Sequence, residues 1–442
     1  MIANCKKKAE SFGAFGFFVY LCRVKWYDMI KRSLILIMVL LCSLCSMAQT
    51  DGVWTFSGKV VDAKTRKALS HVSVTDRSVG TVTNEEGEFT LKLKSEPAAV
   101  VFSCLGYRTR RLTAAECKAL EAEGKTVQMQ ASSVVLSEIV VKGIDKPRQL
   151  VEEAIDKIDV NYPQAPNLLR GFYRETTQKR SRFISVAEGV VDVYKSPYYK
   201  SDWRDGVAIL KGRRLLSQRK SDTLAVKLQG GPVLPVHLDV VKNREILLNM
   251  EELNNYHFTY KGMKQTGDQM AYVIEIKPAV VVDYPLYNGR LYIDQQTLAF
   301  TKIELELDMS NEEKATQSIL RKKPLGLRFT PREMSVYIDY KTDEGVTRIN
   351  YIRNVIRFRC DWKRKLFKSN FTVTSEMVVT GREEGRDLKP IRTRDTFNRR
   401  DNFYDKVVYF NDPDFWGRDN IIEPTEDLLK GIEKIKRRIA RD

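Results

Sequence analysis

The stretch that begins at Met334, MSVYIDYKTDEGVTRINYI, limits the fold more than any other part of the chain. Polar and apolar residues alternate on both sides of Asp343-Glu344-Gly345, and a period of two buries one face only in a β-strand. The Glu-Gly pair at the centre suits the positive φ angles of a tight hairpin. Comparable runs recur in SRFISVAEGVVDVYKSPYY, NYHFTYKGMKQTGDQMAYVIEIKP, NGRLYIDQQTLAFTKIELELDM and LFKSNFTVTSEMVVTG, with Thr266-Gly267-Asp268 as a second turn. Most of the chain after residue 148 is therefore expected to form one large antiparallel β domain. In TRINYIRNVIRFRCDW, Ile349, Tyr351 and Arg353 share a face, and a register change near Asn354 would bring Ile356, Phe358, Cys360 and Trp362 together.

Helical spacing is confined to the ends of this region. Leu150, Ala154, Ile155 and Ile158 recur on one helix face before Asn161 to Pro166 stop it. Near the C-terminus, Leu428, Leu429, Ile432, Ile435 and Ile439 line a second helix, with Glu426 and Asp427 early and Arg437 and Arg438 late, as the helix dipole favours.

From Thr55 to Ala131 the pattern is finer. TFSGKVVDA, HVSVTDR, GTVTN, GEFTLKL, AAVVFSCLGYRTRRL and KTVQMQA are strand-length runs separated by turn residues, which points to a β-sandwich of the seven-stranded type. In NEEG, Gly87 can take positive φ and turn the chain so that Phe89 and Leu91 face one side. LTAAECKALEAEG reads as a short helix stopped by Gly124.

The runs SGKVVDAKTRKALSHVSV, TVTNEEGEFTLKL and VVFSCLGYRTRR carry a resemblance to the carboxypeptidase regulatory-like domain, a transthyretin-like sandwich. Its signature falls on Gly58, Asp62, Thr83, Gly87, Phe89, Gly106 and Tyr107. Ala68-Leu69-Ser70-His71-Val72 departs mildly from the family's usual run at that point. The resemblance implies a folding, spacing or docking module without catalytic residues. YNGRLYIDQQTLAFTKIELELD is similar to a strand-turn-strand of lipoprotein-carrier-like half-barrels. The two-part arrangement resembles uncharacterised envelope proteins of Bacteroidota type. The expected organisation is a leader over 1–48, a short mature N-terminus over 49–54, the sandwich over 55–135, a strand or linker over 136–147, and the half-barrel-like β domain with flanking helices over 148–442. The segment LSEIVVKG (136–143) is expected to be a closing or edge strand followed by a hinge at Gly143.

The leader reading rests on MIKRSLILIMVLLCSLCSMAQT, which has a basic start, an apolar run and a small-x-small cleavage site, Ser46-Met47-Ala48, with cleavage expected between Ala48 and Gln49 and Met29 as the expected start. Its apolar run is shorter than the ~20 residues of a spanning helix. Cys42 and Cys45 both follow Leu, which does not indicate lipid attachment. Of seven cysteines, Cys104, Cys117 and Cys360 lie beyond the leader, too few for a disulfide framework. The formal net charge is +17, and five of those charges belong to the leader. The basic excess concentrates in RKKPLGLR, RNVIRFRCDWKRKLFK and RTRDTFNRR. In an exported chain such a balance meets anionic lipid or polysaccharide rather than nucleic acid.

Known catalytic patterns are missing from the sequence. The three histidines, His71, His237 and His257, are followed three residues later by Val74, Val240 and Tyr260, so no His-x-x-Glu pair exists for a carboxypeptidase zinc. No Gly-x-Ser-x-Gly elbow occurs, and no cofactor, metal site or catalytic residue is expected. The candidate ligand contacts are aromatic: Tyr198, Tyr199, Trp203, Tyr284 and Tyr287, near polar turns. The expected function is that of a non-enzymatic exported protein of the periplasm or outer membrane. It would bind an envelope lipid or glycan or dock an outer-membrane protein; the sequence leaves its oligomeric state open. The alternatives are an envelope hydrolase acting on glycan or peptide, and a spacer, scaffold or accessory to TonB-dependent transport.

Overall fold

The computed structural model describes residues 53–132, 146–199, 205–219, 222, 224–362, 368–410, 412 and 414–440. Ala48, Gln49, Trp203 and the segment 136–143 lie outside them. The fold is mainly β, and residues from Trp54 onward form one compact unit.

The first seven strands are β1 (Trp54–Asp62), β2 (Ser73–Asp76), β3 (Val79–Val82), β4 (Glu88–Leu93), β5 (Val100–Ser103), β6 (Arg110–Leu112) and β7 (Thr126–Met129). They build two sheets, ordered β4-β1-β7 and β3-β2-β5-β6. Between them Phe89 packs edge-on against Phe56 and Phe102, each at 5.4 Å between ring centroids. Helix α1 (Ala114–Ala122) opens with a reciprocal capping box between Thr113 and Glu116.

Each signature residue has a local task. The Asp62 carboxylate accepts the backbone N–H groups of Lys64 (2.9 Å) and Thr65 (2.6 Å) and the Tyr107 hydroxyl (3.1 Å), tying the first turn to the link between β5 and β6. The Thr83 hydroxyl accepts from the Val72 amide and donates to the Leu69 carbonyl. Gly87 has φ +78°, where a side chain would also strike the Val60 carbonyl at 2.5 Å. A Cβ on Gly58 would meet the Lys125 carbonyl at the same distance. The Gly106 amide leaves the sandwich and donates to the Gln265 carbonyl at 2.7 Å.

The rest of the chain runs α2 (Pro147–Asp156), α3 (Ile158–Asn161), β8 (Asn167–Lys179), β9 (Arg182–Lys195), β10 (Gly206–Leu216), β11 (Lys227–Leu228), α4 (Val233–His237), β12 (Tyr256–Thr266), β13 (Gln269–Pro278), β14 (Tyr287–Asp294), β15 (Phe300–Leu307), α5 (Glu312–Ile319), β16 (Leu320–Lys322), β17 (Leu327–Asp343), β18 (Val346–Trp362), β19 (Ser369–Glu384), β20 (Val408–Tyr409) and α6 (Glu426–Ile439). Eleven strands form one open sheet in the order β12-β13-β14-β15-β17-β18-β19-β8-β9-β10-β20. Strands β8 to β10 come first in the chain but extend the sheet beyond β19. At the β17–β18 turn, Glu344 (φ +51°) and Gly345 (φ +76°) take the left-handed conformation that their spacing anticipated.

The irregularity expected near Asn354 falls earlier. Pairing slips between Asp339–Tyr351 and Tyr340–Ile349, so the bulge is at Asn350. Its extra residue puts Ile349 with Ile352, Ile356, Phe358 and Cys360 in the main core, while Tyr351 and Arg353 turn to the other face. The reading of Ile349 and Tyr351 as one face is thereby corrected.

One face of the sheet is covered by α2, α3 and α4, whose Val151, Ala154, Ile155, Ile158, Leu234 and Val236 join its large apolar core. On the opposite face lie the sandwich and α6. There Val82 packs with Phe172, Val190, Tyr351 and Val378, and Leu105 packs on Ala271, Val273 and Tyr292. Helix α6 presses Leu428, Ile432 and Ile435 onto Val186 and Leu215; Leu429, expected on the same stripe, is 48% exposed because it lies about 100° around the helix from Leu428.

The segment leading into α6 fastens the sandwich to the sheet. Asn420 accepts from the Lys92 amide (2.7 Å) and donates to its carbonyl (2.9 Å), imitating a strand partner on the edge strand β4. The Thr81 hydroxyl donates to the Ile421 carbonyl, and the Glu86 carboxylate receives the Glu426 amide in the first turn of α6. Among the described residues no helix is long and apolar enough to cross a membrane.

Candidate functional site

On β8, the neighbours Arg174 and Glu175 point to opposite faces, as alternation requires. Arg174 faces the sandwich side. Its guanidinium donates to Glu188 (2.8 Å), Glu376 (3.4 Å) and the Ile422 carbonyl (2.7 Å), while Arg213 reaches the other Glu188 oxygen at 3.0 Å. These residues belong to one row of cross-strand partners, Glu275, Arg290, Glu304, Tyr337, Arg353, Glu376, Arg174, Glu188 and Arg213, which crosses nine strands with charges alternating in sign except at Tyr337.

Glu175 faces the helix side and has no cation among the described residues. It accepts the Tyr173 hydroxyl (2.7 Å) and the Gly231 amide (3.1 Å). Gly231 can aim that N–H because it has φ +79°, and a Cβ there would meet the Phe397 ring at 2.7 Å. Burial pushes the Glu175 carboxyl above the ordinary range, and the two hydrogen bonds only partly offset it.

Glu175 lines a cleft of about 440 Å³ at the end of β8, β9 and β10. One wall is the stretch through β11 that carries Leu224, Val226, Leu228 and Gly230; another is the segment from Arg400 to Asp405; Leu216, Val373 and Tyr409 add apolar surface. Tyr404 anchors its segment by a 2.9 Å hydrogen bond to Ser185. A Cβ on Gly189 would come within 3.0 Å of Phe403, and one on Gly212 within 2.4 Å of Val407, so both glycines admit this segment close to the sheet. An apolar wall with a few inward polar groups is the usual construction of a small-molecule site.

The other carboxylates of the cleft are engaged. Asp222 is held by Arg182 and by Ser217 at 2.7 Å, Asp405 lies 3.6 Å from Arg214, and Asp401 lies 3.9 Å from Lys406. Among the described residues no three His, Cys, Asp or Glu side chains group as a metal site.

The aromatics singled out in the sequence lie elsewhere. Tyr198 is buried, stacks on Tyr162 at 5.1 Å and donates to Asp239 at 2.8 Å. Asp239 also takes the Tyr340 hydroxyl and a 2.8 Å ion pair from Lys195, so Tyr198 serves a buried network. Tyr199 is 47% exposed, and Tyr284 is exposed with its hydroxyl on Glu252. Tyr287 is half-buried beside Tyr256. None of these four lines the cleft. Glu175 escaped notice because GFYRETTQK reads as ordinary alternation. The available signal was a carboxylate on the strand face shared with the core residues Leu169 and Tyr173.

His71 sits at the contact between sandwich and sheet. Its ring lies 5.2 Å from that of Tyr351 and 5.4 Å from that of Tyr337. Burial, with Arg353 and Lys302 nearby, lowers its pKa to about 3, so the imidazole is neutral.

Residues 56–141 match the family model of the CarboxypepD_reg-like domain. No curated protein matches the chain. Among solved structures, the chain is similar to a DUF1329 family protein from Desulfovibrio piger, at 10% identity and a TM-score of 0.24, over 55% of this chain and 95% of that one. It is also similar to a membrane-associated protein of unknown function from Bacteroides fragilis, at 8% identity and a TM-score of 0.14, over 75% of this chain and 98% of that one.

Proposed function

We propose that the chain is a non-enzymatic protein of the cell envelope, exported to the periplasm or outer membrane. Its large sheet holds a lipid or glycan in the cleft over Glu175, and its CarboxypepD_reg-like sandwich braces the opposite face. The observation that carries this reading is the contrast inside one strand: a buried charge with every partner supplied on one face, and a carboxyl left without a cation at the floor of a cleft on the other. An uncompensated group of this kind costs stability, and a binding site is where such a cost is retained.

The test is a fluorescence titration of the purified protein with the neutral apolar dye N-phenyl-1-naphthylamine. Saturable binding that is lost in Leu216→Trp, a substitution that fills the cleft from a partly exposed position, supports the reading. Binding that never saturates, or that Leu216→Trp leaves unchanged, refutes it.

A second reading is glycan hydrolysis, favoured by the raised pKa of Glu175, a property suited to a general acid. Against it stands the engagement of Asp222, Asp401 and Asp405, which leaves no free second carboxylate in the cleft among the described residues. Turnover of an envelope polysaccharide that Glu175→Gln abolishes would replace the binding reading with this one.

A further inference from the structure

The cleft continues into a smaller chamber of about 170 Å³, with which it shares Gln229, Gly230 and Arg321. Val233, Leu234, His237 and Arg399 complete its walls, and among the described residues no carboxylate lines it. Arg321 comes from the basic run RKKPLGLR and Arg399 from RTRDTFNRR, 78 residues further on; Arg400, from the same run, lines the adjoining chamber. The fold thus brings together two basic runs that are far apart in sequence.

Arg321 donates to the Arg399 carbonyl, and Arg399 donates to the His237 Nδ1 at 3.0 Å. A guanidinium has no lone pair to offer, so Nδ1 must accept and the neutral imidazole carries its proton on Nε2. Burial and Arg399 hold His237 below its ordinary pKa, in keeping with that neutral form. The charged and polar side chains around the chamber are therefore donors, apart from the Gln229 amide, which can act either way. Among the described residues, Arg321, Arg399 and Arg400 have no carboxylate partner, whereas Arg214 of the larger chamber lies beside Asp405, and the larger chamber's Asp222 and Asp401 pair with Arg182 and Lys406.

We propose that the small chamber is an anion subsite, which takes the phosphate or carboxylate head of a ligand whose uncharged body lies against Leu216, Leu224 and Tyr409 in the larger chamber. This rests on reading the cleft as a ligand site. Paired arginines suit such a head because their planar donors match two oxygens of phosphate or carboxylate.

The test is calorimetric titration of the full protein at constant ionic strength. The probes are dihexanoyl phosphatidate below its micelle concentration against dihexanoylglycerol, and glucuronate against glucose. An anion subsite favours the charged member of at least one pair by about tenfold or more. That preference disappears in Arg321→Gln/Arg399→Gln, both exposed positions, and persists in Lys323→Gln, an exposed control from the same run. Preference within the lipid pair assigns a lipid body, and preference within the sugar pair assigns a glycan. Equal affinity within both pairs, or a preference that the double variant retains, overturns the subsite. Continued dye binding blocked by Leu216→Trp would show that the cleft reading survives that result, and its absence would remove both.

Discussion

Arg174 and Glu175 are consecutive on β8, and their surroundings differ sharply. Arg174 gives up its hydration in return for two carboxylates and a carbonyl; Glu175 gives up much of its hydration for one hydroxyl and one amide. Breaking a buried pair leaves an unpaired charge, so the ladder is expensive to interrupt although its net contribution when intact is modest. The two faces thus differ in kind: one carries paired charges where sandwich and sheet meet, and the other carries a carboxyl that lies in the cleft without a cation among the described residues.

The largest expected effect comes from Arg174→Met. It leaves Glu376 with only the Tyr351 hydroxyl and Glu188 with only Arg213, and it releases the Ile422 carbonyl, at about 3–5 kcal/mol in urea unfolding. Protease cutting within 414–425 should rise with it, because that segment loses an anchor. A loss below about 1 kcal/mol would show that the ladder behaves as exposed ion pairs do, and the contrast between the faces would fail.

Glu175→Gln should act in the opposite direction. A carboxyl whose folded pKa is raised favours folding fully below its unfolded value near 4.3 and loses that contribution as pH rises through the folded value. The variant should be more stable than wild type by about 1 kcal/mol at pH 8, with no gain at pH 3.5, as thermal melts at both values would show. A loss of stability at pH 8 would mean that the carboxylate is compensated after all.

His71→Asn removes the ring between Tyr337 and Tyr351 while tolerating the positive φ of +56°. It should cost about 1 kcal/mol at pH 8. With its folded pKa depressed, neutral His71 contributes stability above about 6.5 that is lost as pH falls toward about 3. The gap between wild type and variant should therefore narrow on acidification, and a constant gap would show that the imidazole does not titrate at this contact.

The smallest effect is expected from Glu86→Gln, which weakens the anion at the start of α6 by about 0.5 kcal/mol and should fade in high salt. Salt-independent destabilisation would point to packing instead.

The two regions were unequally legible. In the sandwich, Asp62, Thr83, Gly87 and Gly106 serve turns and short links at fixed spacing, so a motif could reveal them. The large sheet showed its strands through alternation but not their order, since β8 to β10 close its far end and no local pattern records that. The bulge at Asn350 was placed four residues late for the same reason: register is settled by the partner strand. The cleft is not legible in the sequence because the conspicuous aromatics stand elsewhere, Tyr198 in a buried network and Tyr199 and Tyr284 on the exposed surface, while Glu175 looks like one polar residue among many.

The sequence alone determined the β content, the helices at the ends of the large domain, and the family of the first sandwich, because these depend on periodicity and turn chemistry over a few residues. Only the tertiary structure decided which charges meet. Nine strands had to fall into one register before Glu275 to Arg213 became a ladder. Two basic runs had to converge before Arg321 stood beside Arg399. Desolvation and partnership arise from contacts between distant segments, and those contacts make the difference between Arg174 and Glu175.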